Sequence, residues 1–210
     1  RKLVIALGAG ALAAPFSSFA QSQTKVWRVG FLAPRRPDNL ATDVYSGFQR
    51  GMRELGYIEG KNLFIEWRYA DGALERLPEL AAELVRLKVD VIVAGGTPAA
   101  SAAQKATATI PIVIGAVGDP VGAGLVKSLA RPGGNITGLS TFSTDLAPKR
   151  LELLLSMVPK VSRVAVLIDP RDSSSVANLK KSVQAAVQKT GVKIFPIEVR
   201  TPKEIEAAFS

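Results

Sequence analysis

An α/β fold built on parallel sheets is what this sequence predicts, and two patterns predict it. Strand-like stretches begin at residues 25, 61, 89, 111, 135, 163 and 192. Stretches with helical apolar spacing fill most of the gaps between them, which is the rhythm of repeated strand–helix units with helices on both faces of a sheet. A chain of 210 residues that is 47% hydrophobic and 21% charged has the apolar material for such a core. Its length fits one to two domains.

The elements follow in order. Residues 25–33 are rich in β-formers and read as the first strand. From Val44, apolar residues recur at Phe48, Met52 and Leu55, a helical spacing that Gly56 closes. Leu63, Ile65, Trp67 and Tyr69 alternate with other residues, the period of a strand. Leu74, Leu77, Leu80, Leu84 and Leu87 form the next helix, with Pro78 confined to or before its first regular turn. Residues 89–94 make a short buried strand, followed by Gly95-Gly96-Thr97-Pro98 and an alanine-rich helix. A strand over 110–114, a helix over 119–130 stopped by Pro132-Gly133-Gly134, and a strand over 135–140 come next. Thr144 is placed to cap a helix carrying Leu151, Leu154, Leu155 and Val158. A strand over 164–168 then ends at Asp169-Pro170. Val176, Leu179, Val183 and Val187 define a further helix, and 192–199 a strand. Thr201 and Glu204 have capping-box spacing and open a last helix. It stops before it can cross a sheet, so a truncated chain is expected.

Residues 1–20 stand apart. Arg1-Lys2 precedes an uncharged apolar run over 3–16, and Ser18 and Ala20 place small residues for a cut before Gln21. This is the layout of a secretory signal peptide. The alternatives are a membrane anchor, for which the run is short of the ~20 residues a span needs, or a buried first helix. Gly8-Ala9-Gly10 with Ala13 imitates a dinucleotide fingerprint but has no strand before it.

Composition excludes much chemistry. There is no cysteine and no histidine, so disulfides, thiolate metal sites, lipid attachment through cysteine and Ser-His-Asp catalysis are ruled out. The net charge is +9, and loss of Arg1 and Lys2 would leave +7. The basic residues are spread out, in pairs such as Arg35-Arg36, Lys149-Arg150 and Lys180-Lys181. No basic stripe carries interleaved aromatics, so a solvated surface is expected and nucleic acid is not a partner.

Several segments, taken in order, resemble one family. They are Arg28-Val-Gly-Phe-Leu32, Phe48-Gln-Arg-Gly-Met-Arg-Glu-Leu-Gly-Tyr57 with Glu59-Gly60-Lys61-Asn62, and Ala94-Gly-Gly-Thr-Pro-Ala99. Asp119-Pro-Val-Gly-Ala-Gly-Leu-Val126, Arg131-Pro-Gly-Gly-Asn-Ile-Thr-Gly138 and Lys149-Arg-Leu-Glu-Leu-Leu154 complete the set. From about Lys25 to Phe209 the chain resembles the substrate-binding proteins of ABC importers, of the type described as tryptophan/tyrosine transport proteins. The resemblance implies a two-lobed periplasmic-binding-protein-like fold of type 1, with a first lobe over 21–142 and a second beginning at 143 and left incomplete at 210. In that fold the C-terminal segment returns to the first lobe, so strands of both lobes would be missing here. A periplasmic location follows from the signal layout, and with no cysteine to carry a lipid the product is expected to be soluble and not a lipoprotein; a monomer, not an enzyme, without cofactor or metal, is expected as well. Such a protein binds a small organic solute, an amino acid with an aromatic one included, and hands it to permease subunits in the inner membrane.

Parallel sheets bind ligands at the carboxyl ends of their strands, which selects the candidate site residues. Gly96 and Thr97 offer backbone amides, a helix N-terminus and a hydroxyl to a carboxylate, or else form an ordinary turn and cap. No Gly-Lys-[Ser/Thr] follows at P-loop spacing. Asp119 either pairs with an amino group or caps a helix with Pro120 behind it. Asp169 holds the mirror position across the cleft, or is a turn residue. Arg35 lines the cleft rim, or sits in a solvated loop. Thr141 and Phe142 lie at the expected hinge, where Phe142 stacks on a flat ligand or simply packs.

Two other functions compete. An α/β enzyme acting on a nucleotide or sugar phosphate would want a glycine loop after the first strand, yet Ala33-Pro-Arg-Arg-Pro-Asp38 has none. A ligand-sensing lobe of a regulator fits neither the export signal nor the lack of a helix-turn-helix at the N-terminus.

Overall fold

A computed structural model describes residues 25–36, 44–141, 146–189 and 191–209. The expected signal peptide, Thr144 and Phe142 lie outside these residues. Two parallel sheets organise the rest. The first has the order β2-β1-β3-β4-β5, with β1 Trp27–Ala33, β2 Leu63–Tyr69, β3 Val91–Gly95, β4 Ile112–Val117 and β5 Ile136–Ser140. Its parallel register places Val29 between Ile65 and Val91, and Ala94 between Leu32 and Ile114.

Helices cover both faces of this sheet, as the strand–helix rhythm requires. On one face lie α2 Leu77–Arg86 and α3 Thr97–Ala106. Leu80 and Leu84 of α2 pack with Ala99 and Ala103 of α3 over Leu32, Ile92 and Ile112. Leu84 is fully buried, worth about 2–3 kcal/mol of apolar transfer. The helix comes in so close that a Cβ at Gly30 would stand 2.9 Å from Leu84 Cδ2. The alanines of α3 allow similarly tight packing. On the opposite face, α1 Val44–Glu54 brings Phe48 to Phe31, with ring centroids 5.5 Å apart, and Phe31 lies 4.8 Å from Trp67. One 3₁₀ turn, Leu74–Arg76, precedes α2 and absorbs the start that Pro78 could not join.

The segment 119–130 departs from the helix its spacing predicts. The expected helix is absent, and a series of turns takes its place. Asp119 Oδ1 accepts from the Gly122 amide at 2.8 Å, Gly124 has φ +70°, and Pro120 O accepts from both Leu125 and Val126. Two glycines and a carboxylate that folds back on the chain outcompete helix propagation here. Leu125 still reaches the core.

The second sheet pairs β6 Arg163–Ile168 with β7 Lys193–Glu198, also in parallel. Helices α4 Ala147–Met157 and α5 Ser173–Lys189 accompany it. Among the described residues, Ala147, Leu151, Ile168, Val192 and Val199 are its buried apolar ones. The last helix, α6 Pro202–Ala207, is capped by Thr201, whose hydroxyl accepts from the Glu204 amide at 3.3 Å. Glu204 reaches one residue past the cap, to the Arg200 amide at 2.7 Å.

Candidate functional site

Parallel strands all present their carboxyl ends at one edge of a sheet, so the loops after β1, β3 and β4 cluster. Here they form one wall of a cavity of about 370 Å³, and the loop after β6 with the start of α5 forms the other. That volume lies within the range of small-ligand clefts.

The first wall is built from Arg35 after β1, Gly96 and Thr97 after β3, and Ala116 and Gly118 at the end of β4. Gly96 can turn the chain from strand to helix because it adopts φ +84°, where a side chain would be strained. Its amide bonds to Gly115 O at 3.0 Å, which fastens the β3 exit to β4. Thr97, the first residue of α3, is buried to 3% exposure yet lines the cavity. The positive end of α3 therefore points at this space, where an anionic group is favoured.

The second wall carries Asp169, Asp172, Ser175 and Asn178. Asp169 is held by Arg171, whose Nε donates to Oδ1 at 3.0 Å and Nη2 to Oδ2 at 2.8 Å. The Arg171 amide also donates to Oδ1, at 3.0 Å. Mainly through the guanidinium bonds, the carboxyl of Asp169 is held below the usual range and the Arg171 pKa is raised. Asp172 Oδ2 accepts from the Ser175 hydroxyl at 3.3 Å. Beside the cavity, Arg171 Nη1 stands 3.8 Å from Glu75 Oε2, an ion pair that links the loop after β6 to the 3₁₀ turn before α2.

Two further cavities flank the first. One, of about 430 Å³, shares Leu74 and Pro98 with it and is mostly apolar, with Glu75, Lys105 and Arg171 at its rim. The other, of about 470 Å³, shares Arg35 and brings in Arg36, Asp71 and Arg200.

Of the residues nominated from sequence, Arg35, Gly96, Thr97 and Asp169 come together around one cavity. Asp119 is not in its wall, and its carboxylate caps the turn at Gly122. Thr141 is exposed at the end of β5, where its amide bonds to Val117 O at 2.9 Å. Sequence reasoning did not nominate Ala116, Gly118, Asp172, Ser175 or Asn178. The run Asp172-Ser-Ser-Ser175 was a visible signal, but its residues also favour a helix start. Among the described residues no group of acidic side chains is placed to hold a metal, and no helix is long and apolar enough to cross a membrane.

Comparison with known proteins places this geometry in context. Residues 37–210 match the family model described as ABC transporter substrate binding protein. The chain is 35% identical over 165 residues to a tyrosine-binding protein of Clostridioides difficile (strain R20291), a match covering 78% of this chain and 47% of that one. It therefore spans about half the length of that curated relative. A conserved domain protein from Vibrio cholerae superposes with a TM-score of 0.79 at 33% identity, covering 88% of this chain and 61% of that structure. A Streptococcus protein described as an ABC domain in complex with L-Trp gives 0.75 at 28% identity, covering 87% and 60%. The fold is thus that of the type 1 periplasmic binding proteins, as the resemblance implied.

Proposed function

The chain belongs to the ABC transporter substrate-binding protein family, and from that premise we propose that it is an extracytoplasmic receptor for an amino acid, with aromatic ones included. The solute sits in the cavity between the two sheets and is passed to a permease in the membrane. The observation that carries this reading is the polarity of the cavity's two walls. One wall offers Arg35 and the N-terminus of α3 at Gly96 and Thr97, and the other offers Asp169 and Asp172. An amino acid is a zwitterion, so its carboxylate suits the first wall and its ammonium group the second. The neighbouring apolar cavity behind Leu74 and Pro98 has room for a side chain. The names of two relatives, a tyrosine-binding protein and a complex with L-Trp, support the same ligand class.

In this reading residues 1–20 direct export, residues 21–142 form one lobe and 143–210 belong to the second. Thr141 and Phe142 lie where the chain crosses between them. Ligand binding shifts the population toward a closed arrangement of the lobes, and the closed form is what the permease recognises. No covalent step is involved.

A thermal melt of the chain with L-tryptophan, L-tyrosine and L-leucine tests the reading. At about 100 times its Kd a ligand adds roughly 2.7 kcal/mol, an upward shift of about 5 °C or more for a chain of this size. A cooperative melt that none of the three moves would count against an amino-acid receptor.

A further inference from the structure

Three residues other than glycine have positive φ among the described residues: Asp71 at 51°, Lys88 at 52° and Ala116 at 58°. Local structure accounts for the first two. Asp71 stands in a turn beside Gly72, and aspartate tolerates this conformation better than most residues. Lys88 follows the last turn of α2, with its amide on Val85 O at 3.0 Å, the usual left-handed helix ending. Ala116 has neither excuse. It lies inside β4, between Gly115 and Val117.

The cause is a bulge. Ile114 pairs with Gly138 and Val117 with Ser140, so Gly115 and Ala116 together face the single residue Leu139. Such a bulge re-aims one residue out of the ladder. Here it turns Ala116 toward the cavity, where it is exposed and lines the wall with Gly96 and Thr97. Of the β4 exit, only Ala116 and Gly118 line this cavity, and Gly118 has no side chain. The methyl of Ala116 is therefore all the apolar surface that β4 presents there. A glycine would meet the same backbone without strain, so the methyl is what the strained backbone retains. Strain held in this way clusters at ligand clamps.

We propose that Ala116 is a specificity-determining contact of the cleft, its methyl group turned by the bulge toward the bound solute. The proposal rests on the reading of the cleft as an amino-acid site.

Its test titrates the full chain and its Ala116→Gly and Ala116→Ser variants with L-tryptophan, L-tyrosine and L-leucine, and melts each without ligand. Ala116→Gly is expected to change the ratio of Kd values among the probes by about fivefold or more, as loss of one buried methyl does. Ala116→Ser keeps the β-carbon and is expected to hold the ratio within about twofold of the parent. Relief of strain should leave the melting temperature of Ala116→Gly at or above the parent's. The same change at Ala165, an exposed position in β6, should lower it by about 2–4 °C. Unchanged ratios in Ala116→Gly, or a drop in its melting temperature like that of Ala165→Gly, would overturn the proposal alone. A parent chain that melts cooperatively but binds none of the probes would overturn the amino-acid reading, and this contact with it.

Discussion

Arg171 grips Asp169 with two parallel hydrogen bonds, Nε to Oδ1 at 3.0 Å and Nη2 to Oδ2 at 2.8 Å. The same guanidinium donates to Arg200 O at 3.2 Å and stands 3.8 Å from Glu75. One side chain thus ties the end of β6 to the end of β7 and reaches the 3₁₀ turn before α2. A planar fork of donors can do this, and a lysine could not. Asp169 is consequently a carboxylate that holds Arg171 in place while also lining the cavity.

Acid should weaken this clasp and one other. Asp90 accepts from the Arg28 amide at 2.8 Å and pairs with Lys25 at 2.9 Å, and these contacts, the backbone bond first, lower its pKa. Asp169 is lowered by Arg171. Both start from an ordinary value of 3.8. A carboxyl depressed by folding contributes stability in full above that value and loses it as pH falls through the folded one. Denaturant unfolding from pH 6 downward should therefore lose stability mainly below about pH 4. Asp90→Asn and Asp169→Asn should each cost about 1 kcal/mol at neutral pH and flatten that acid limb. An acid limb equally steep in both variants would remove these groups as its cause.

Gly138 should tolerate no side chain. Its φ is +141°, and a Cβ there would collide with the backbone oxygen of Ile114 on β4. A backbone atom in mid-sheet cannot move aside as a side chain can. Gly138→Ala is expected to lose about 3 kcal/mol or more by chemical denaturation, whereas Gly134→Ala, with open space at its Cβ, should lose far less.

Thr97 and Asp119 should separate cleanly in a binding assay. Thr97→Val keeps the shape of a side chain that is 3% exposed and removes the hydroxyl at the cavity wall. Binding of the preferred amino acid should weaken about tenfold, an effect of the size of one lost hydrogen bond. Asp119→Ala opens the turn at Gly122 and should lower the melting temperature while the affinity stays within about threefold. Equal losses of affinity in the two variants would place Asp119 at the ligand.

The sheet elements were legible because burial imposes a period. Leu63, Ile65, Trp67 and Tyr69 alternate, and β2 spans those same residues. The leucines of α2 repeat at helical spacing because one stripe faces the core. Where the period is ambiguous, apolar spacing alone does not decide the conformation. Val121, Leu125 and Leu129 stand four apart like a helical stripe, yet Gly122, Gly124 and the folded-back Asp119 carboxylate make turns. Part of the lining of the candidate cavity is readable for a similar reason. Strand ends can be located, and with them Arg35, Gly96, Thr97 and Asp169. Asp172, Ser175 and Asn178 were not found, since polar residues at the start of a helix look the same whether they cap it or line a cleft. Ala116 carries no sequence signal at all, because the bulge that turns it arises from the pairing of β4 with β5.

The strand order has a kinetic consequence. β1 sits between β2 and β3, so both of its neighbours come later in the sequence, Leu63 opposite Trp27 and Val91 opposite Val29. No hairpin can nucleate this sheet, and each pairing of β1 closes a loop that contains α1. Folding should therefore be slow for a chain of this size and rate-limited by long-range closure. Until that closure Leu32 and Ala33, later fully buried, remain open to wrong partners.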